Sequence, residues 1–371
     1  VAKPIIWSIA GNDSGGGAGL SADQRAAAAF GVHLCPVVAA LTVQNSVGVA
    51  RVEAVAPELL EAQLAALADD LPPAAVKTGL LGGADNIAVV ARWIDRLRAR
   101  GPVALVVDPV LRASTGAAFA DAAALAAYRD LLLPRATIVT PNEKEARRLG
   151  GAGDVPQLAR HLRALGTTAV AITGGDDTTH TDRVLDWMDT EHAHGWLALP
   201  RIATPHTHGT GCTFATSAAS ALALGFVPAD ALVLAKMATT QALRAGYAAG
   251  QGAGPVAAQA GFGTQPDLLP GMSWDDNYSF DSLSRLSGKG WSPISLENDI
   301  GLYAIVDSAS RVRQVVAAGV RTVQLRIKTP DATLREAIAQ ALAACKAAGA
   351  TLVVNDHWRL AAELGAPAVH L

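Results

Sequence analysis

The sequence predicts an α/β protein built on a mainly parallel sheet covered by helices on both faces, followed by a second, smaller β/α unit. Three observations predict this. Short apolar strands alternate with segments of helical period along most of the chain. Val103 to Val107 and Ala169 to Ile172 are uninterrupted apolar runs, as in strands buried on both sides. After Gly261 the composition shifts towards Gly, Pro, Ser, Asp and Trp, and strand-helix alternation resumes at Gly301.

Composition narrows the function classes. With 371 residues, half of them hydrophobic, the chain exceeds one typical domain and can bury a large core. Net charge is only −3, from 30 basic and 33 acidic residues, and no basic cluster is interleaved with aromatics, so a nucleic-acid partner is not expected. No uninterrupted apolar run approaches the ~20 residues of a membrane helix, and the N-terminal stretch lacks the layout of a signal peptide. Cys35, Cys212 and Cys345 are far apart and odd in number, which argues for a reducing cytoplasm and against a disulfide framework or zinc site.

In chain order, Pro4 to Ala10 reads as a strand running into Gly11-Asn12-Asp13-Ser14-Gly15-Gly16-Gly17-Ala18-Gly19, and a helix carrying Asp23 follows. The loop lacks the Gly-Lys-Ser/Thr ending of a Walker A motif and the spacing of a dinucleotide fingerprint. Val37 to Val43 is a second strand, ending at Gln44-Asn45-Ser46. Pro57 to Leu71 has helical spacing, Val76 to Leu81 reads as a strand, and Asn86 to Arg100 as an amphipathic helix with Trp93, Ile94 and Leu97 inward. Asp108 closes the Val103 to Val107 strand. Ligands of open α/β sheets bind beyond such strand ends, so a carboxylate there suits magnesium or phosphate work better than packing. Ala136 to Val139 ends in Thr140-Pro141-Asn142-Glu143-Lys144-Glu145, which is also ordinary helix-capping chemistry. Ala169 to Ile172 ends at Thr173-Gly174-Gly175. Asp182 to Met188 and Trp196 to Leu199 read as a hairpin, and Pro228 to Tyr247 as a long helix carrying Lys236.

Thr207 to Thr213, Thr-His-Gly-Thr-Gly-Cys-Thr, opens an alanine-rich helical stretch. Gly209 and Gly211 bracket Thr210, so several amides can face one way at a helix start, a ready site for phosphate. Cys212 lies in that first turn, where the dipole should favour thiolate and let it accept a proton from an alcohol. The same residues also suit a plain Gly-rich turn before a core helix with a buried cysteine.

His208-Gly209-Thr210-Gly211-Cys212-Thr213 resembles the anion-hole motif of hydroxymethylpyrimidine and phosphomethylpyrimidine kinases, the thiamine branch of the ribokinase-like superfamily. Other branches usually carry Asp at the position of Cys212. The resemblance runs from about Ile5 to about Gly263 and includes the glycine run after the first strand and Asn142-x-x-Glu145. It implies a three-layer α/β/α kinase domain over 1–263, ATP as phosphoryl donor, Mg2+, a small pyrimidine substrate and a homodimer. Gly209, Thr210, Gly211 and Cys212 would be catalytic, and Gly11, Asp23, Gln44 and Leu80 would bind substrate. Gln44 and Asp23 would read the ring nitrogen and exocyclic amine of the aminopyrimidine, a donor-acceptor pair that a side-chain amide can match. Asp108, Asn142, Thr173 and Lys236 would serve nucleotide and phosphate, with Asp108 and Glu145 on the metal. Many relatives have Lys where this chain has Thr173, so one cationic contact is missing. Pyridoxal kinase, and a non-catalytic binder of thiamine precursors, are the competing readings.

A linker is expected over 264–300. From residue 301, Gln324-Leu325-Arg326-x-Lys328 and Asn355-Asp356-His357-Trp358-Arg359-Leu360 resemble thiamine phosphate synthase, a β/α barrel of the TIM type. The resemblance puts Gln324, Arg326, Lys328, Asn355 and Asp356 on pyrophosphate and magnesium. Segment 301–371 holds about half the strands of such a barrel, so the expectation is an incomplete synthase domain without synthase activity.

Overall fold

The computed structural model describes residues 2–111, 120–177, 179–273, 276 and 301–371. It divides into two compact units, Val1–Tyr278 and Ser279–Leu371.

The first unit is a ten-stranded sheet. Its strands are β1 (Ile5–Asp13), β2 (His33–Gln44), β3 (Val49–Ala54), β4 (Ala75–Thr78), β5 (Ala104–Val107), β6 (Ile138–Val139), β7 (Ala169–Ile172), β8 (Arg183–Asp189), β9 (His194–Pro200) and β10 (Gly271–Met272). They lie in the order β10-β9-β8-β7-β6-β5-β4-β1-β2-β3. Strands β7-β6-β5-β4-β1-β2 are mutually parallel, while β3, β8, β9 and β10 pair antiparallel with their neighbours. The central strands are buried on both faces, which explains their continuous apolar runs.

Among the described residues eight α-helices belong to this unit: α1 (Gly19–Phe30), α2 (Pro57–Ala68), α3 (Ala84–Arg98), α4 (Ala122–Ala127), α5 (Glu143–Gly150), α6 (Val155–Ala164), α7 (Thr210–Ala223) and α8 (Pro228–Arg244). Two cores result. Trp7, Leu60, Ile94, Leu132 and Leu162 fill one side of the sheet, and Ile6, Ile138, Phe214, Ala218 and Leu232 the other. Small residues let α7 lie close to the strands: Ala215, Ala218, Ala219 and Ala221 are all fully buried. With helices on both faces this is the expected three-layer arrangement.

Element boundaries shift from the expected ones by a few residues, and β3 was not anticipated. Its residues, Val-Ala-Arg-Val-Glu-Ala, leave no position fully buried, so no apolar face marks it in the sequence. The linker expected over 264–300 also begins too early. Leu268 is fully buried with Phe262 and Met237, and β10 pairs with β9, so 264–273 packs as part of the first unit. The remainder of that linker, apart from Asp276, lies outside the described residues.

In the second unit, β11 (Tyr303–Val306), β12 (Thr322–Leu325), β13 (Thr351–Asn355) and β14 (Ala368–His370) form a parallel sheet in sequential order. Helices α9 (Ala309–Ala317), α10 (Leu334–Ala348) and α11 (Trp358–Glu363) connect them. Val312, Leu325, Ile338, Cys345 and Leu352 fill the core between helices and sheet.

Candidate active site

Residues of the site collect at the carboxyl ends of β1, β2, β4 and β5, under the N-terminus of α7. The glycine loop after β1 is organised by Asp13. Its carboxylate accepts the backbone N–H of Gly15 at 2.8 Å, Gly17 at 3.0 Å and Ala18 at 2.8 Å, and His208 Nε2 lies 3.0 Å away. Burial pushes this carboxyl up, but His208 and the amides of Ala18 and Gly15 outweigh it and hold it below the usual carboxylate range. Gln44, at the end of β2, places its side-chain amide 3.1 Å from the same His208 nitrogen. Gly11 lies against Leu80: a Cβ on it would stand 3.1 Å from Leu80 Cδ2. Gly11, Gln44 and Leu80 therefore lie beside the glycine loop and the ends of β1 and β2.

Asp23 does not. It is fully buried on α1 and its oxygens are taken by Ser8 Oγ at 2.6 Å, Thr216 Oγ1 at 2.7 Å and Lys77 Nζ at 3.0 Å to each. A carboxylate so occupied has no face left for a ring, which corrects the expectation that it reads the pyrimidine. Its work is to hold Lys77, which is fully buried and lies 4.0 Å from Asp108 Oδ2. Burial opposes the Lys77 charge, but Asp23, Cys212 and Asp108 override it and keep the ammonium well above its ordinary range. Lys77 was overlooked in the sequence, although a lysine between Val76 and Thr78 in a short buried strand is the kind of residue that needs a buried partner.

Helix α7 begins at Thr210, with Gly209 as its cap at φ 87°. Only glycine suits that position, because a Cβ would also stand 2.3 Å from the Gly17 carbonyl oxygen. The loop before α7 and the glycine loop thus interlock, and the helix start brings Cys212 close enough to Lys77 and Asp108 for their charges to act on it. Cys212 is partly exposed there. The expected shift of its thiol is reversed: burial pushes it up to about 12, opposed by Lys77 and seconded by Asp23 and Asp108. Burial is the leading cause and Lys77 does not offset it, so the resting group is S–H.

Asp108 follows β5, and burial raises its carboxyl to about 6, with Lys77 opposing and Asp23 adding to the shift. Glu145 on α5 is raised to about 8 by burial and by Asp108. Glu145 and Asn142 form a capping box at α5: Glu145 N–H donates to Asn142 Oδ1 at 2.9 Å and Asn142 N–H to Glu145 Oε2 at 3.1 Å. Leu111 N–H also donates to Glu145 Oε1. The Asn142 oxygen is thereby committed to capping. Thr173, at the end of β7, bridges to Asn142 and sits at the same edge of the site.

Lys236, expected on the nucleotide, is buried on α8 with Nζ 2.8 Å from Asp186 Oδ2 and 3.2 Å from the Val184 carbonyl. This corrects the expectation of direct phosphate contact. The other Asp186 oxygen accepts the Gly174 N–H at 2.9 Å, so Lys236 bears on the loop after β7 only through Asp186.

In the second unit Gln324 and Asn355 are buried at adjacent strand ends, with Gln324 Nε2 donating to Asn355 Oδ1 at 2.7 Å. Asn355 in turn donates to Asp356, which has the one positive φ of a non-glycine among the described residues, 62°. Arg326 and Lys328 are exposed just after β12. Among the described residues no group of three or more His, Cys, Asp or Glu side chains is arranged to hold a metal. No helix among them is long and apolar enough to cross a membrane.

Residues 13–257 match the family model of phosphomethylpyrimidine kinase, and residues 302–371 that of thiamine monophosphate synthase. The hydroxymethylpyrimidine/phosphomethylpyrimidine kinase of Synechococcus elongatus is 46% identical over 69% of this chain and 97% of its own length. A thiamine biosynthetic bifunctional enzyme of Arabidopsis thaliana is 33% identical over 99% of this chain and 70% of its own. Among solved structures, the pyridoxal kinase of Staphylococcus aureus in complex with AMP-PCP and pyridoxal superposes with a TM-score of 0.61 at 28% identity. It covers 69% of this chain and 93% of its own.

Proposed function

Because the chain belongs to the phosphomethylpyrimidine kinase family, we propose that it transfers the γ-phosphoryl group of ATP to 4-amino-5-hydroxymethyl-2-methylpyrimidine and then to the resulting monophosphate. The observation that carries this is Cys212 in the first turn of α7, with the Lys77 ammonium and the Asp108 carboxylate close enough to act on its thiol. In phosphoryl transfer the protein supplies mostly position and charge. The amides of Gly209 to Cys212 hold the migrating phosphoryl group. Gly11, Gln44 and Leu80 border the ring and aim its alcohol. Cys212 takes the alcohol proton. Lys77 and the α7 dipole are the groups that favour thiolate once Asp108 is charge-compensated, which reconciles this role with a resting S–H.

Asp108 and Glu145 fit Mg2+. Both are hard oxygen donors whose carboxyls are raised first by burial, and Mg2+ commonly takes one or two carboxylates with water and phosphate oxygens completing its shell. When bound there it would neutralise nucleotide phosphate charge. Asn142 and Thr173 line the same edge and are assigned to the nucleotide side. Gln324, Arg326, Lys328, Asn355 and Asp356 are assigned to pyrophosphate and magnesium in the synthase-like unit, whose substrate would be the pyrophosphate that the kinase makes. The three free cysteines support a cytoplasmic setting. Exposed Leu41 and Val43 on one face of β2 support a homodimer.

A coupled ADP-release assay with the pyrimidine and with pyridoxal tests the reading. Faster turnover of the pyrimidine is expected, and phosphorylation of pyridoxal alone would overturn it.

A further inference from the structure

His208 reaches back from the loop before α7 to the glycine loop and to β2. One ring nitrogen, Nε2, lies 3.0 Å from Asp13 Oδ2 and 3.1 Å from Gln44 Nε2, in an amide whose nitrogen and oxygen ends are interchangeable by a half-turn. Asp13 is buried and already accepts three backbone N–H groups, so it is an ionised acceptor with nothing to donate. The contact with His208 is therefore satisfied only if Nε2 carries the hydrogen. A protonated ring nitrogen has no lone pair in the ring plane and cannot accept from Gln44 Nε2, so the amide makes a half-turn and its oxygen shares the Nε2 hydrogen with Asp13. Both amide hydrogens of Gln44 are then turned away from His208. The ring lies close against Gly17, where a Cβ would stand 2.2 Å from His208 Cδ2.

We propose that His208, oriented by Asp13, is a positioning residue that locks the Gln44 amide as a hydrogen-bond donor, so that the site selects a heterocycle presenting an acceptor nitrogen. This rests on the reading that Gln44 borders the substrate ring. It gives His208 a task separate from the anion site that follows it in sequence, and it links the two loops through one imidazole.

Two measurements on the full chain test it. In 15N-histidine-labelled protein, His208, assigned through its ring-to-backbone couplings, is expected to show a protonated Nε2 at neutral pH. A bare Nε2 would overturn the proposal without any variant being made. In kinetics, Gln44→Leu and His208→Asn are each expected to raise the pyrimidine KM about 10-fold while the ATP KM stays within about twofold. The double variant should be no worse than Gln44→Leu alone, since the imidazole acts only through the amide. If Gln44→Leu leaves the pyrimidine KM unchanged, the assignment of Gln44 to the ring fails and the inference with it. If Gln44→Leu raises that KM but His208→Asn does not, or the two effects add, only the inference about His208 falls.

Discussion

At Cys212 two influences compete, and burial outweighs the nearby Lys77 ammonium. An ordinary thiol with a pKa of ~8.5 reaches its full alkylation rate shortly above that pH. With the Cys212 thiol pushed up to about 12, its alkylation by iodoacetamide in the ligand-free protein should stay slow at pH 8 and keep rising beyond pH 10, as followed by mass spectrometry. A plateau near pH 7 would show a resting thiolate instead. Cys212→Ala should lower kcat by ~10²–10⁴-fold with little change in either KM, as loss of a positioned proton acceptor does. Lys77 makes a second residue-scale prediction. Lys77→Met strands Asp23 in the core without its cation, and breaking a buried pair from one side typically costs about 3–5 kcal/mol. Urea denaturation should show that loss, and Lys77→Met with Asp23→Asn should recover part of it.

At the scale of elements, the start of α7 separates two glycines that look alike in sequence. Gly209 has φ 87° and abuts the Gly17 carbonyl, so Gly209→Ala should destabilise the protein by about 1–3 kcal/mol and uncouple the two loops. Gly211 is helical with open space where a Cβ would go. Gly211→Ala should leave stability unchanged or raise it by up to ~1 kcal/mol, while the added methyl enters the phosphate-facing surface and raises the ATP KM. Thermal melts paired with ATP titrations decide both. The capping box at α5 shows the opposite economy, since Asn142 and Glu145 close the helix with the same atoms that border the site.

For the molecule as a whole, the boundary of the first unit matters most. Ending the chain after residue 263 removes Leu268 and the β10 pairing on β9, whereas ending it after 276 keeps both. Burial of one leucine is worth about 1.5–3 kcal/mol, so the shorter form should melt roughly 3–12 °C below the longer one. Pyrimidine kinase activity should survive in the 1–276 form. Its loss there, measured beside the full chain, would show that the second unit supports the first.

Much was legible in the sequence. Continuous apolar strands and helical periods identified the doubly covered parallel sheet, because burial on both faces writes itself into composition. The Gly209 to Cys212 spacing located the start of α7, because a sharp turn into a helix is marked by its glycines. Strand-end positions of Asp108 and Gln44 followed from the same alternation. The partners of charged side chains were not legible. Asp23 turned inward to Lys77, Lys236 to Asp186, and His208 to Asp13 across 195 positions of sequence. Sequence pattern determines which residues can be buried or can carry charge. Which carboxylate a buried ammonium meets depends on how strands far apart in the chain are laid side by side, and only the tertiary structure decides that.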